Sequence, residues 1–132
     1  MAVEWSSGYQ AMRAELKRLH SPDVENLESY VPNQINNFGF LLQVMAGPKN
    51  APGEESFDVV VCTPDWLKRQ YKSSDVVVGR HYLIVFEYDY GRLRRFLQEY
   101  CEQCFGETWP EVANKLNRLG KWEFEDYQAA PR

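Results

Sequence analysis

The chain has 132 residues, 44% of them hydrophobic and 26% charged, which is the balance of one globular domain and excludes a disordered tail. Its formal net charge of −4 disfavours nonspecific binding to nucleic acid or to an anionic membrane. No apolar run approaches the ~20 residues of a membrane span, and the first residues lack the apolar stretch of a secretory signal. Three cysteines indicate reduced thiols, so we expect a cytoplasmic protein.

The first half of the chain predicts three strands. Residues 1–11 show no periodicity and are expected to form a flexible leader, with Met12 as a candidate native start. Alternation of apolar and charged residues from Met12 predicts a strand to His20. Residues 38–45 are apolar on both alternating sets, which is typical of a central strand, and β-branched residues 56–62 predict a third strand. The Gly- and Pro-rich segment between the last two predicts an antiparallel hairpin.

A short helix and a further strand are predicted next. Thr63 precedes Pro64, which is the pattern of a helix N-cap followed by a proline in the first turn. Residues 76–88 are mainly apolar and predict one long central strand, with a bend or bulge at Gly79.

Two helices and an edge strand are predicted for the remainder. Asp89 is the expected N-cap of a helix whose apolar stripe continues to Phe105. A capping box starting at Thr108 predicts a helix that ends at Gly120. Residues 121–127 alternate aromatic and acidic side chains, as in a half-exposed edge strand.

This order of elements predicts an α+β fold. We expect an antiparallel or mixed sheet of about five strands, with two to three helices packed mainly on one face. Residues 12–128 form the single predicted domain, and residues 129–132 form a loose tail.

The cysteines and histidines are candidate chemical sites. Cys101 and Cys104 form a C-x-x-C pair in the apolar stripe near a predicted helix end, where the helix dipole opposes a thiolate, so core packing is favoured over redox or zinc chemistry. Cys62 with His20 or His81 would give a nucleophile and a base, but strand positions favour structural roles. We therefore predict no enzyme, no metal and no cofactor.

Acidic residues are concentrated in the first half of the chain, in two predicted loops near aromatic residues. Carboxylates speed the encounter with a basic partner, and aromatic rings stabilise the complex once it has formed. The alternative is a solvated surface that keeps the protein dispersed. The candidate partner-binding residues are Asp23, Glu25, Glu28, Tyr30, Glu54, Glu55 and Trp66.

Four segments carry a resemblance to a known family: residues 12–23, 37–48, 55–67 and 79–85. They are similar to the immunity protein 8 family of bacterial polymorphic toxin systems, and Cys-Thr-Pro-Asp-Trp-Leu at 62–67 is the most specific piece. The resemblance implies a noncatalytic protein that binds a cognate toxin domain and blocks it, protecting the producing cell and its kin from contact-dependent inhibition. Many such toxins are nucleases with basic clefts, which suits an acidic inhibitor.

Two other functions stay open at this stage. One is a regulatory or adaptor module that binds proteins outside toxin systems, and the other is a small enzyme that uses Cys62 and a histidine. The expected partner is a protein, with no nucleic acid and no membrane, and the protein itself is expected to be a monomer or a weak dimer.

Overall fold

A computed structural model of the protein describes residues 11–74 and 76–126. Apart from Ala11, the predicted leader and the predicted tail at 129–132 lie outside these residues. No helix in this part of the chain is long and apolar enough to cross a membrane. The described elements are, in chain order, β1 Met12–His20, β2 Gly39–Pro48, β3 Glu55–Cys62, α1 Pro64–Gln70, β4 Tyr82–Ile84, α2 Tyr90–Glu102, β5 Phe105–Gly106, α3 Trp109–Leu116 and β6 Lys121–Trp122.

The strands form one mixed sheet. They follow the order β4-β3-β2-β1-β5, and β6 pairs with β3 beside β4. Neighbouring described strands are antiparallel except for the parallel pair of β3 and β4. This sheet with three helices confirms the predicted α+β class, and β2 lies between β1 and β3 in the predicted central position.

One face of the sheet carries the hydrophobic core. Alternate residues of the three long strands are buried on this face, as a period of two predicts. They are Ala14, Leu16, Phe40, Leu42, Val44, Ala46, Phe57, Val59 and Val61. α2 and α3 cover the same face with Leu93, Leu97, Cys101, Val112, Ala113 and Leu116. Each large aliphatic side chain buried here stabilises the fold by roughly 1.5–3 kcal/mol relative to an exposed one.

α1 lies on the opposite face of the sheet, where β3 ends. Thr63 is its N-cap, as predicted, and Thr63 Oγ1 accepts hydrogen bonds from Trp66 N at 3.4 Å and from Phe38 N at 3.2 Å. The Trp66 ring lies against Gly39, where an added Cβ would come within 2.3 Å of Cε2. Gly39 belongs to the alternate set of β2 that faces away from the core, so this contact places the ring on the outer face.

The long central strand predicted for residues 76–88 is wrong. Of the described residues in this segment, only those of β4 are in a strand, and β4 lies at the edge of the sheet. His81 has a φ of 67°, which interrupts extended backbone just before β4, and Val76 and Val78 are 87% and 84% exposed. The physical reason is that β6 pairs with the first half of the same edge of β3, which leaves room for a short β4.

The structure shortens the long helix relative to its prediction. Asp89 is the N-cap, as predicted, and its Oδ1 accepts a hydrogen bond from Arg92 N at 3.0 Å. The helix ends at Glu102, whereas the apolar pattern predicts that it continues to Phe105. Phe105 instead pairs with Arg13 in β5, because the edge of β1 offers hydrogen-bonding groups that end the helix early.

The last two elements are also shorter than predicted. Thr108 is the N-cap of α3, as predicted, and its Oγ1 accepts a hydrogen bond from Glu111 N at 3.4 Å. Glu111 Oε2 accepts from Glu107 N at 2.8 Å, so the reciprocal bond of the capping box is displaced by one residue. α3 ends four residues before Gly120. The strand predicted for 121–127, whose last residue lies outside the described part, is limited to the two residues of β6.

Candidate functional site

The first predicted cluster of carboxylates lies in the connection between β1 and β2. Ser21 Oγ accepts hydrogen bonds from Asp23 N at 3.1 Å and from Val24 N at 3.2 Å. Asn26 Oδ1 accepts a hydrogen bond from Glu28 N at 3.0 Å. Such side-chain to backbone bonds stabilise turns locally. The segment from residue 21 to residue 30, called the acidic loop below, therefore has a defined backbone shape in the unbound protein.

The three carboxylates of the acidic loop differ in their contacts. Asp23 Oδ2 accepts a hydrogen bond from Leu41 N at 2.8 Å, so it holds the loop against β2. Glu25 and Glu28 are exposed, and no ion pair between described residues includes either of them. Glu25 lines a surface cavity of about 590 Å³, and both residues line a second cavity of about 220 Å³. No described Lys or Arg lines either cavity, so this surface is electronegative.

Tyr30 ends the acidic loop and joins it to the core. Its ring centroid is 5.4 Å from that of Phe40 and 5.0 Å from that of Tyr88, in edge-to-face contacts. The Tyr88 hydroxyl donates a hydrogen bond to Leu27 O, which ties the loop to the segment before α2. Burial raises the pKa of the Tyr30 phenol, so it is neutral at ordinary pH. The half-buried ring presents a rigid apolar contact at the surface.

Trp66, on α1 and the outer face of the sheet, lies at the same end of β2 as Tyr30. It lines a cavity of about 360 Å³ with Tyr30, Asn33, Gln34, Asn37, Phe38 and Gly39. The Asn37 amide donates a hydrogen bond to Gln34 Oε1 at 3.0 Å, which orders part of the rim. Tyr30 also lines the larger cavity beside the acidic loop, so the two cavities adjoin. The structure thus brings five of the predicted partner-binding residues to adjoining cavities: Asp23, Glu25, Glu28, Tyr30 and Trp66.

Glu54 and Glu55 are separated from this group. In the register of β2 and β3, Glu55 lies opposite Ala46. Ala46 is five residues along β2 from Leu41, the strand contact of the acidic loop, which at ~3.4 Å per residue is roughly 17 Å. Glu54 Oε1 lies 2.7 Å from Nε of Arg18 and so forms a surface ion pair. The predicted binding residues therefore form two groups and not one.

Glu55 binds two tryptophan side chains of its own chain. Its Oε1 accepts hydrogen bonds from Trp109 Nε1 at 2.7 Å and from Trp122 Nε1 at 2.8 Å. All three side chains are half-buried. Because one carboxylate oxygen joins the start of β3 to α3 and to β6, its evident role is to connect these elements. Sequence spacing gives no sign of this contact, since Glu55 precedes both tryptophans by more than 50 residues.

In the described residues, both histidine rings lie at hydrogen-bond distance from groups other than the thiols. Burial raises the pKa of each thiol, and that of Cys101 to about 12, so the reactive thiolate is disfavoured. His20 Nδ1 lies 2.8 Å from Gln43 Oε1, and His81 Nε2 lies 2.6 Å from Asn117 O. Within residues 11–74 and 76–126, no group of three or more potential ligands is placed to hold a metal ion. The buried cysteines are Cys62, Cys101 and Cys104.

Two aromatic residues of this surface are absent from the sequence-based candidates. Tyr90, the first residue of α2, lines the 220 Å³ cavity beside Glu25 and Glu28. Tyr88 packs under Tyr30. The one available signal in the sequence is the pair of tyrosines that flanks the helix N-cap Asp89. Tyrosine is enriched in surfaces that bind proteins, but it marks such a surface only where it is exposed.

Comparison with family models decides the family. The model described as Immunity protein 8 matches residues 14–127. This range includes all the described helices and strands apart from the first two residues of β1. The chain belongs to the Immunity protein 8 family. Comparison with curated proteins and with solved structures finds no match.

Membership in the Immunity protein 8 family makes this chain an immunity protein of a toxin system, as the resemblance implied. The family favours a binding role over catalysis, and the raised pKa values of the thiols agree with that. The matched residues contain the acidic loop, Trp66 and Glu55 alike.

Proposed function

We propose that this immunity protein binds its cognate toxin domain in the cytoplasm and neutralises it by covering the active or substrate-binding site. The proposed contact surface consists of the acidic loop with the adjoining rings of Tyr30 and Trp66. The observation that carries this proposal is the pair of exposed carboxylates of Glu25 and Glu28 beside cavities that no described Lys or Arg lines. Covering a site requires no covalent chemistry.

The charge of this surface indicates a basic partner. A nuclease toxin binds phosphates in a basic cleft, and carboxylates of an inhibitor occupy the same positions with the same sign of charge. Complementary charge accelerates the encounter, whereas aromatic side chains at the centre of an interface slow dissociation. The acidic loop is already held in shape by Ser21 and Asn26, so little conformational entropy is lost on binding.

The remaining predicted residues have different parts in this proposal. Asp23 acts mainly by holding the acidic loop through Leu41 N, and Glu54 is a second acidic point some distance along the sheet. Glu55 acts through the fold, because its carboxylate is bound to two indoles.

The test uses a double charge reversal, Glu25→Lys with Glu28→Lys, which leaves the turn-forming bonds of the loop backbone in place. The probe is the cognate toxin domain, which we expect to be encoded directly upstream of this gene. We expect association to slow by on the order of tenfold or more, and protection to be lost when toxin and variant are expressed together.

A matched control carries the same change of charge at the same spacing. Glu99→Lys with Glu102→Lys alters two exposed residues near the end of α2, roughly 15 Å along the helix from Tyr90. This control should protect like the wild type. Unchanged association and protection in the Glu25 and Glu28 variant would refute the proposed surface.

A further inference from the structure

A second surface feature is an apolar groove between β4 and the first half of α2. It has a volume of about 530 Å³. Its apolar walls include Leu83, Val85, Phe86, Tyr88, Leu93 and Phe96. Phe86 is 78% exposed and Phe96 is 48% exposed. Two phenylalanine rings at one groove are a costly exposure of apolar surface, and such patches mark sites of protein contact.

The backbone around Phe86 is held on both sides. Val85 N donates a hydrogen bond to Cys62 O at 2.9 Å, which ends the pairing of β4 with β3. Three residues after Phe86, Asp89 caps α2. The connection between strand and helix is therefore short, and the exposure of Phe86 follows from its position in that connection. Phe96 projects from the outer side of α2, with its ring centroid 6.2 Å from that of Tyr100.

Charge at the groove is slightly negative. Three charged side chains line it, namely Glu87, Asp89 and Arg92. Arg92 lies 3.4 Å from Glu87 Oε1 and 3.6 Å from Asp89 Oδ2, so a single guanidinium faces two carboxylates. The Tyr88 phenol adds no charge, since burial raises its pKa to about 12. One carboxylate in excess remains at the rim for a cationic group of a partner.

The groove is continuous with the acidic loop. Tyr88 lines the groove and donates its hydroxyl hydrogen to Leu27 O of the loop. Two residues later, Tyr90 lines the cavity that Glu25 and Glu28 also border. A partner that covers the acidic loop is therefore also next to the groove and contacts both with one continuous surface.

We propose that this groove receives an aromatic or branched aliphatic side chain of the cognate toxin domain, next to a Lys or Arg that pairs with Glu87 or Asp89. This inference rests on the proposed function and names a second contact of the same partner. The apolar walls accommodate the anchoring side chain, and the excess carboxylate selects the neighbouring cation. The acidic loop then governs the rate of association, and the groove governs the rate of dissociation.

The experiment compares Phe86→Ala and Phe96→Ala with the wild type in binding to the same cognate toxin domain. Val78→Ala is the matched control, because Val78 is 84% exposed and does not line the groove. We expect Phe86→Ala to weaken binding by about 30-fold, mainly through faster dissociation, which is the effect of losing an interface hot spot. The melting temperature of Phe86→Ala should be unchanged, because the Phe86 ring is mostly exposed.

The outcomes separate this inference from the proposed function. If the wild type binds the toxin domain and both phenylalanine variants bind within threefold of it, the groove is not a contact, and the proposed function stands. If the wild type itself does not bind, the proposed function and this inference both fail. If Val78→Ala weakens binding as much as Phe86→Ala, the effect is not specific to the groove and the inference is overturned.

Discussion

The carboxylate of Glu55 offers the sharpest test of the fold, because one oxygen accepts hydrogen bonds from two indoles. Glu55→Ala removes both bonds and leaves the Nε1–H groups of Trp109 and Trp122 without that acceptor. Hydrogen bonds to a charged group contribute roughly 1.5–3 kcal/mol each, and half-burial places these at the lower end. We therefore expect the free energy of unfolding to fall by about 3 kcal/mol.

The assay is thermal and urea denaturation, followed by circular dichroism and tryptophan fluorescence. For a domain of this size, a loss of about 3 kcal/mol lowers the melting temperature by about 10 °C. Glu55→Gln retains an oxygen acceptor and loses only the contribution of charge, so roughly half of the effect is expected. This milder variant should still fold and bind the toxin domain, which separates a structural role from a direct contact.

The neighbouring residue provides the control. Glu54→Ala removes an exposed ion pair with Arg18, which is worth at most about 1 kcal/mol. If Glu55→Ala destabilises the protein no more than Glu54→Ala does, the two indole bonds do not hold α3 and β6 to the sheet. When Trp109 and Trp122 are both replaced by Phe, Glu55→Ala should lower the free energy of unfolding by much less than it does in the wild type. A double-mutant cycle measures this coupling.

Two further predictions concern single positions in the sheet. Gly39→Ala brings a Cβ within 2.3 Å of the Trp66 ring, so we expect a loss of about 1–3 kcal/mol in denaturation and a shifted Trp66 emission; wild-type stability would contradict the packing. Asp58 has a buried oxygen without a hydrogen-bond partner, and burial and then Glu123 raise the pKa of its carboxyl. A raised pKa means that the contribution of Asp58 to stability falls as the pH rises from about 4, through the ordinary range of an aspartate and then through the pKa of the folded state. Asp58→Asn should therefore be the more stable protein at neutral pH and equal to the wild type near pH 3; equal unfolding curves at both pH values would contradict this.

Local patterns were sufficient for most elements of the fold. The bounds of β1 agree with the alternation from Met12 to His20, and β2 and β3 differ from their predictions by a few residues at most. The caps at Thr63, Asp89 and Thr108 were predicted from side-chain type, and each accepts the expected backbone hydrogen bond. These features depend on neighbours within a few residues, so one sequence contains the information.

Long-range pairing decided the remainder. Residues 76–88 have the composition of a strand, but β6 shares the edge of β3 and limits β4 to three residues. The helix stripe towards Phe105 continues in the sequence, yet the edge of β1 draws that residue into β5. Composition does not report competition between segments for the same hydrogen-bonding groups.

The candidate site shows the same division. From the sequence alone, the acidic character, the aromatic content and the family resemblance were accessible, because they depend on which residues are present. Which carboxylates share a surface was decided by the length of β2, which separates the acidic loop from Glu55. The pairing of Glu55 with two distant indoles, and the exposure of Phe86 beside α2, exist only once the chain has folded, since residues far apart in the sequence then become neighbours.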